Sequence, residues 1–568
     1  MFQMNFFRLT RSLGLGQVLS LILSLFMISG FSIRASASPS ITLSQDQKMS
    51  DLQQLVSMIK SGYGPLQYKK ENFSIDVDSL HSLYTEKILK TQSNGEFYYS
   101  LIRFIAEFHD GHFSASLPTS RMASLPFDVD LVQGHVLIDK INRDKLNEKS
   151  FPYAKGDEIV AVNGHPIGEV LNDLQRYRGL GFSLSEKRIT AMALTTRNGM
   201  RMPVPSGEVV FSIRRGLSNV IDDVKLNWEV TGEAVDEEFS ELFRLTLDRA
   251  TPKSADYDDL SIFDLQAELE NPSVEKSFRC SGVSRIERPK SATVIMEKPF
   301  VAYYYSTPQG NIGYLRIPHY SPERDSEKGE SEEESGRAEE TRFRQYEYAV
   351  AELEKNTVGL VIDQDHNCGG SVDYLHRIVS LFVQQEFIPM QFQFLANKQE
   401  YLNFSSWAAG TPENTIARQQ LEIVRDLVKD SWLQGKFMTP LTSIDGVKLF
   451  QSNKITYTKP IVVLIDEMSG SGGDAFPALM KGLGRAKLLG TRTMGLGGHV
   501  TEQPALYYSQ IKAYMTKSLF YRPDGVAVEN NGAVPDYPYE ITRDDFIYGY
   551  HGYRQFYTQK LLELVAQK

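Results

Sequence analysis

Two unbroken apolar runs, rich in β-branched residues, constrain this chain more than any other feature. Val358-Gly359-Leu360-Val361-Ile362-Asp363 is one and Pro460-Ile461-Val462-Val463-Leu464-Ile465-Asp466 is the other. A strand that is wet on one face alternates apolar and polar residues, so a run without alternation is buried on both faces. Each run leads through a turn into a segment with helical spacing, Val372 to Phe382 and Gly473 to Leu483. Strand, helix, strand repeated in this way predicts a parallel sheet with helices on its faces. Chemistry in such sheets gathers at the carboxyl ends of the strands. Gly313 to Ile317 adds a further strand, and the pattern runs from Asn311 to Ile541 within a core spanning residues 311–568.

Ahead of that core the periodicity changes twice. Residues 38–120 read as a helical region: Leu52, Leu55, Met58 and Ile59 keep helical spacing, as do Leu101, Ile102, Ile105 and Phe108. Residues 121–225 read as a small β domain. Val129-Asp130-Leu131-Val132 and His135-Val136-Leu137-Ile138 flank Gln133-Gly134, a hairpin signal. Gly156-Asp157-Glu158-Ile159-Val160-Ala161-Val162-Asn163-Gly164 is a strand ending in an Asn-Gly turn, and a helix from Ile167 to Tyr177 follows. This order and this turn resemble a PDZ domain, which implies binding of an extended peptide along a sheet edge. Residues 226–310 read as a linker or an elaboration of the core, with strand-like pieces at Val224 to Val230 and Thr293 to Met296. The Glu-rich run 323–342 has too little apolar surface to order itself and reads as a mobile surface loop, open to proteolytic processing.

Arg8 and Arg11 precede an apolar stretch from Val18 to Phe31, and Ala35-Ser36-Ala37 offers small residues to a signal peptidase. That stretch has the length of a signal segment and is short for a membrane span. Residues 1–37 therefore read as a signal peptide cleaved after Ala37, which predicts export to the periplasm or beyond and no stable membrane insertion. A formal net charge of −10 and the lack of a basic stripe argue against nucleic acid as a partner. Cys280 and Cys368 are either a disulfide formed after export or two buried thiols. Cys-rich motifs and His-x-x-x-His pairs are absent, so neither metal nor cofactor is expected.

Met468-Ser469-Gly470-Ser471-Gly472-Gly473-Asp474 lies just past the second buried run and opens a helix. Amides at a helix start lack partners within the helix, so a serine there sits beside ready oxyanion donors. Taken alone, such a turn fits a loop or a phosphate cradle equally well. Three further motifs stand at fixed spacing around it: Gly313-Tyr314-Leu315-Arg316-Ile317, Asp363-Gln364-Asp365-His366-Asn367-Cys368-Gly369-Gly370, and Gly484-Arg485-Ala486-Lys487-Leu488-Leu489-Gly490-Thr491-Arg492-Thr493-Met494-Gly495. Together they resemble the tail-specific (C-terminal-processing) and tricorn-type serine peptidase family over roughly residues 95–225 and 311–541. The resemblance implies an α/β core of the ClpP/crotonase-like kind, a mixed sheet with helices, beside the helical N-terminal region and the PDZ-like β domain. It implies an endopeptidase that cleaves proteins or peptides through an acyl-enzyme, and a homodimer is compatible with it. The nucleophile falls on Ser471, with Ser469 as the alternative, and the oxyanion donors fall on Gly472 and on Gly369 or Gly370.

The lysine base of the tail-specific branch would fall on Leu496, which cannot accept a proton, and Lys481 and Lys487 lie off the motif. The tricorn branch uses histidine and glutamate instead. Asp110-Gly111-His112 matches its Asp-x-His, and Pro523-Asp524-Gly525-Val526-Ala527-Val528-Glu529 resembles its acid-bearing segment. The implied triad is Ser471, His112 and Glu529. His109 competes with His112, while His366 and His499 sit in catalytic-looking turns where they could contact substrate. Asp474 reads as an acid that favours the helix dipole. Asp365 stands where the family has arginine; it either points away from the oxyanion hole or pairs with a cation such as Arg492. A catalytically silent binding scaffold on the same fold is the alternative function.

Overall fold

The computed structural model describes residues 42–216, 218, 220–233, 284–321 and 332–567. The signal segment, Cys280 and the start of the acidic run lie outside them.

A seven-stranded mixed sheet carries the site. Its strand order is Thr293–Met296, Ala302–Thr307, Gly310–Arg316, Gly359–Asp363, Ile461–Ile465, Lys487–Gly490 and Tyr537–Pro538. The first three strands pair antiparallel and the remaining joins are parallel. Gly359–Asp363 and Ile461–Ile465 are buried at every position, as their unbroken apolar runs require. Leu360, Ile362 and Val463 face a core shared with Leu375, Ile378, Phe476 and Leu479 from the helices Val372–Ser380 and Gly472–Gly482. Val361, Val462 and Leu464 face the opposite layer, against Tyr553, Tyr557 and Leu561 of the helix His551–Ala566. Parallel pairing sets Asp363 beside Leu464 and Ile465 beside Gly490, so the turns that follow these three strands emerge side by side.

Four helices, Gln45–Gly62, Leu66–Phe73, Val77–Ile88 and Asn94–Ala106, form the N-terminal region. Ser44, Asp76 and Ser93 cap three of them by accepting first-turn amides. Leu52, Leu55, Ile59, Leu101 and Phe108 make its core. The strand Ser114–Ser116 then pairs antiparallel with Lys512–Thr516, which ties the Asp110–His112 turn to the C-terminal part of the chain.

The PDZ-like sheet has the order Phe127–Val132, His135–Ile141, Glu158–Val162, Glu208–Arg214, Ile221–Asn227, with His165–Pro166 beside the third strand. The single strand expected over Val224 to Val230 is two. Ile221–Asn227 closes this sheet beyond residue 225, and Glu229–Thr231 pairs with Met122–Ser124. Thr293–Met296 and Ala302–Thr307 belong to the main sheet, so this part of the 226–310 stretch is core elaboration and no linker.

The acidic run is also not a loop throughout, because Glu332–Asn356 is one helix. Its charges are paired: Arg344 meets Glu340 at 2.8 Å, and Arg377 meets Glu339 at 2.8 Å and Glu340 at 2.6 Å. Phe343, Tyr346, Ala349, Val350 and Leu353 then give the helix a buried stripe that composition over residues 323–342 does not include. No helix among the described residues is long and apolar enough to cross a membrane.

Candidate active site

After Ile461–Ile465 the chain turns through Asp466–Gly470 and enters the helix Gly472–Gly482 with Ser471 at its cap. Ser471 holds φ +59° and ψ −113°, a conformation uncommon for a residue with a Cβ and one its surroundings must maintain. Asp474 maintains it. One carboxylate oxygen accepts from the Ser471 amide at 2.7 Å and the Leu496 amide at 2.9 Å. The other accepts from the Gly495 amide at 2.8 Å and from the Thr493 hydroxyl. Asp474 therefore does more than favour the helix dipole: it staples the serine turn to residues 493–496. Burial pushes its carboxyl up to about 6 in spite of these bonds. Ser469 is fully buried, and its hydroxyl bonds to the Gln364 carbonyl and to Asp466 Oδ1, both at 2.8 Å. Those bonds make it a structural residue rather than a nucleophile.

Gly369 has φ +84°, and a Cβ there would lie 2.8 Å from both the Gly472 nitrogen and the Ser471 Cβ. Only glycine lets this turn approach the serine so closely. The Gly369 amide is already committed, donating to Asn367 Oδ1 at 2.8 Å. Gly369 is thus an approach surface and not an open donor, which leaves Gly472, first in its helix, and Gly370 as the candidate oxyanion donors.

His112 is buried, and its amide donates to Asp110 Oδ1 at 2.9 Å. Asp110 Oδ2 accepts from the Tyr63 and Thr516 hydroxyls, both at 2.8 Å, so this aspartate fixes the turn rather than the imidazole. Neither ring nitrogen of His112 has a hydrogen-bond partner among the described residues. Burial lowers the imidazole pKa, with Asp110 opposing, so the ring is neutral at pH 7 and able to take a proton. Leu496 stands between the two turns. A Cβ on Gly111 would lie 2.7 Å from one Leu496 methyl, and a Cβ on Gly470 2.9 Å from the other. The residues just before His112 and Ser471 therefore pack on one leucine side chain.

Glu529 is fully buried. Its oxygens go to Lys69 Nζ at 2.5 Å and to the Gly497 amide at 2.9 Å, and not to His112. Burial and the nearby Asp110 push its carboxyl up to about 8, against the pull of Lys69.

The remaining candidates fall elsewhere. His109 is exposed and contributes its carbonyl, which accepts from Lys69 Nζ and Asn530 Nδ2, both at 2.8 Å. His366 does not face substrate: it pairs with Asp466 and lies 3.2 and 3.0 Å from Arg188 and Arg285. His499 is buried against Phe394 and Trp407, bonds to the Ser518 hydroxyl at 2.8 Å, and is pushed down to about 3 by burial. Asp365 turns into the same buried cluster as His366, where burial and then Asp363 and Asp466 raise its pKa well above the carboxylate range. It does not pair with Arg492, which donates to the Asn530 carbonyl at 2.8 Å and stacks 3.8 Å from the Phe182 ring centre. Lys481 and Lys487 reach Asp536, away from Ser471. Lys69 carried no sequence signal, since its partner Glu529 lies 460 residues away.

Residues 311–539 match the model of peptidase family S41, and residues 121–239 match that of a PDZ domain. The chain thus carries a peptidase S41 domain and a PDZ domain, which makes it a serine peptidase with protein or peptide substrates. Relatives that match along most of their length are chlamydial. An uncharacterized protein of Chlamydia muridarum (strain MoPn / Nigg) is 25% identical over 581 residues, 91% of this chain and 92% of its own length. A protein of Chlamydia trachomatis serovar D is 25% identical over 572 residues, with the same shares of 91% and 92%. The tricorn protease of Thermoplasma acidophilum is 34% identical over 89 residues, 16% of this chain and 8% of its own. Among solved structures, mature CPAF complexed with lactacystin matches with a TM-score of 0.74 at 23% identity, covering 92% of this chain and 99% of that one. CPAF, the chlamydial protease-like activity factor, shares the fold.

Proposed function

We propose that the chain is an exported serine endopeptidase that works through an acyl-enzyme, with Ser471 as nucleophile, His112 as base and Glu529 as the supporting acid. The observation that carries this reading is the serine turn itself. Ser471 heads a helix at the carboxyl end of a buried parallel strand, in a positive-φ conformation, with the backbone of Gly369 packed against it. In the reaction, neutral His112 takes the Ser471 proton as Oγ attacks the scissile carbonyl. The Gly472 and Gly370 amides receive the oxyanion. His112 then protonates the leaving amine, and water releases the acyl group by the same steps. Export rests on Arg8, Arg11, the apolar Val18 to Phe31 and the small residues before Ser38. The PDZ domain supports capture of substrate as an extended strand.

Two observations favour a silent scaffold: Glu529 bonds to Lys69 and not to His112, and neither ring nitrogen of His112 has a hydrogen-bond partner among the described residues. Fluorophosphonate labelling separates the two readings. The purified chain should label, and Ser471→Ala and His112→Ala should not; an unlabelled wild type overturns the peptidase reading in favour of the scaffold.

Glu529 also sets a pH dependence. It supports an imidazolium only when ionised, and its carboxyl is pushed up to about 8. His112 is lowered from its ordinary value, so its own limb lies further to the acid side. kcat/KM should therefore climb between neutral pH and about pH 8, with the carboxyl as the limiting group. Glu529→Gln should lower kcat by about 10²-fold or more and remove that limb. A pH–rate profile unchanged in the variant would exclude Glu529 from the reaction.

A further inference from the structure

We infer that Lys69 is a positioning residue for the reaction, clamping the Glu529 carboxylate and the His112-bearing turn into one unit. This deepens the Ser471–His112–Glu529 reading and rests on it. Lys69 comes from the short helix Leu66–Phe73 of the N-terminal region and is wholly buried. Its ammonium reaches Glu529 Oε1 at 2.5 Å, Asn530 Oδ1 at 2.6 Å and the His109 carbonyl at 2.8 Å. A lysine has three donors, and all three are used, two on the acid-bearing turn and one on the turn that leads to His112. Asn530 closes the unit by donating from Nδ2 to the same His109 carbonyl at 2.8 Å.

A purely structural tie would not need a buried charge here. Tyr68, the preceding residue, already anchors the backbone of the same turn: its hydroxyl donates to the Glu529 carbonyl at 2.8 Å and accepts from Asn531 Nδ2 at 3.0 Å. Lys69 addresses the carboxylate instead. The groups acting on that carboxylate are Asp110 from the histidine turn, Lys69 from the helix and the Gly497 amide from the serine side, while the Tyr63 and Tyr68 phenols both sense its charge. Among these side chains Lys69 is the single cation, and it opposes the rise that burial and Asp110 impose on Glu529. Without it the carboxyl rises further and keeps only the Gly497 amide to direct it, and the His109–His112 turn loses one of its two ties to residue 530. Substitution therefore acts on the rate of proton transfer rather than on substrate capture by the PDZ domain.

The test uses the full chain with fluorescein-labelled casein as substrate and a fluorophosphonate as the active-serine probe. Lys69→Met should lower kcat by about 10²-fold with KM within about threefold, since general acid–base contributions are of this size. It should also move the acid limb of fluorophosphonate labelling to higher pH. Lys69→Arg, which keeps the charge, should recover kcat to within about tenfold of wild type. The double variant Lys69→Met/Glu529→Gln should be no slower than Glu529→Gln alone, because both changes disable one unit. Near-UV circular dichroism identifies a misfolded Lys69→Met, in which case Lys69→Arg and the double variant decide. An active wild type with unchanged kcat and unchanged acid limb in folded Lys69→Met overturns the inference and leaves the triad reading standing. Additive losses in the double variant also overturn it. A wild type that neither labels nor cleaves overturns the triad reading, and the role of Lys69 with it.

Discussion

Ser471→Ala should lower casein turnover by on the order of 10⁴-fold or more while the unfolding midpoint stays close to wild type. The loss is large because Oγ is the atom that forms the acyl bond, and no neighbouring hydroxyl can replace it. Ser469, two residues away, is fully buried and tied to the Gln364 carbonyl and Asp466. The fold should survive because alanine pays the same backbone strain as serine at φ +59°, and the amide bond to Asp474 Oδ2 does not involve the side chain. Ser469→Ala is the converse. It keeps the nucleophile and deletes a buried hydroxyl that donates to the Gln364 carbonyl and Asp466 and accepts from the Asn367 amide, so stability should fall by about 1–3 kcal/mol with much of the activity retained. Steady-state assays and urea melts on the two variants give opposite patterns if Ser471 is the nucleophile. Turnover retained in Ser471→Ala and lost in a well-folded Ser469→Ala would reassign it.

The elements that position the site are legible because their signals are local. Ile461 to Ile465 is unbroken and apolar, so it reads as a doubly buried strand, and the glycines after it read as a tight entry to a helix. Gln133-Gly134 reads as a hairpin turn because both residues must take positive φ, and they do, at +49° and +79°. Side-chain partners across the chain leave no such trace. Lys69 sits in a polar octapeptide, Leu66–Phe73, whose pattern suggests a solvated helix, and it is buried only because residues 529 and 530 close over it. Asp474 is legible as a helix-start acid but not as the acceptor for amides 21 and 22 residues later. Asp365 is ambiguous by sequence because its direction depends on Arg316, Asp363 and Asp466, which come from two strands and the turn after a third. The acidic run misleads for a related reason: the apolar stripe that orders its second half starts at Phe343, just past the charged window.

The PDZ domain is held to the catalytic core by a contact of this non-local kind, and breaking it should have a large effect on stability. Arg188, in the helix Ser183–Met192, places two nitrogens on the Asp130 carboxylate at 2.7 and 2.8 Å and a third on Glu467 Oε1 at 2.7 Å. Asp130 belongs to the first strand of the PDZ-like sheet and Glu467 to the turn that leads to Ser471. Ser185, one turn earlier, bonds the Glu467 carbonyl at 2.6 Å. Both carboxylates are buried, so Arg188→Ala leaves charge without its main partner and should cost about 3–5 kcal/mol, read as a lower urea midpoint. Arg285, 2.9 Å from Asp130, limits the loss on that side, and among the described residues Glu467 has no second arginine. The sign of the pH effect follows from Asp130. Burial is the largest influence and would raise its pKa, but Arg188, with Arg285 and His366 behind it, outweighs burial and holds it well below the ordinary value. A depressed carboxylate adds stability that is complete above its unfolded pKa and is lost as pH falls through the folded one. Wild type should therefore keep this contribution well below pH 4, whereas Arg188→Ala, with a higher Asp130 pKa, should show acid unfolding at higher pH. Because the arginine also braces Glu467 at the mouth of the serine turn, kcat should fall with stability, and Arg188→Lys, which cannot span both carboxylates with a planar fork, should fall between the two. A variant as stable as wild type at pH 7 and at pH 4 would show that the PDZ domain docks without help from Arg188.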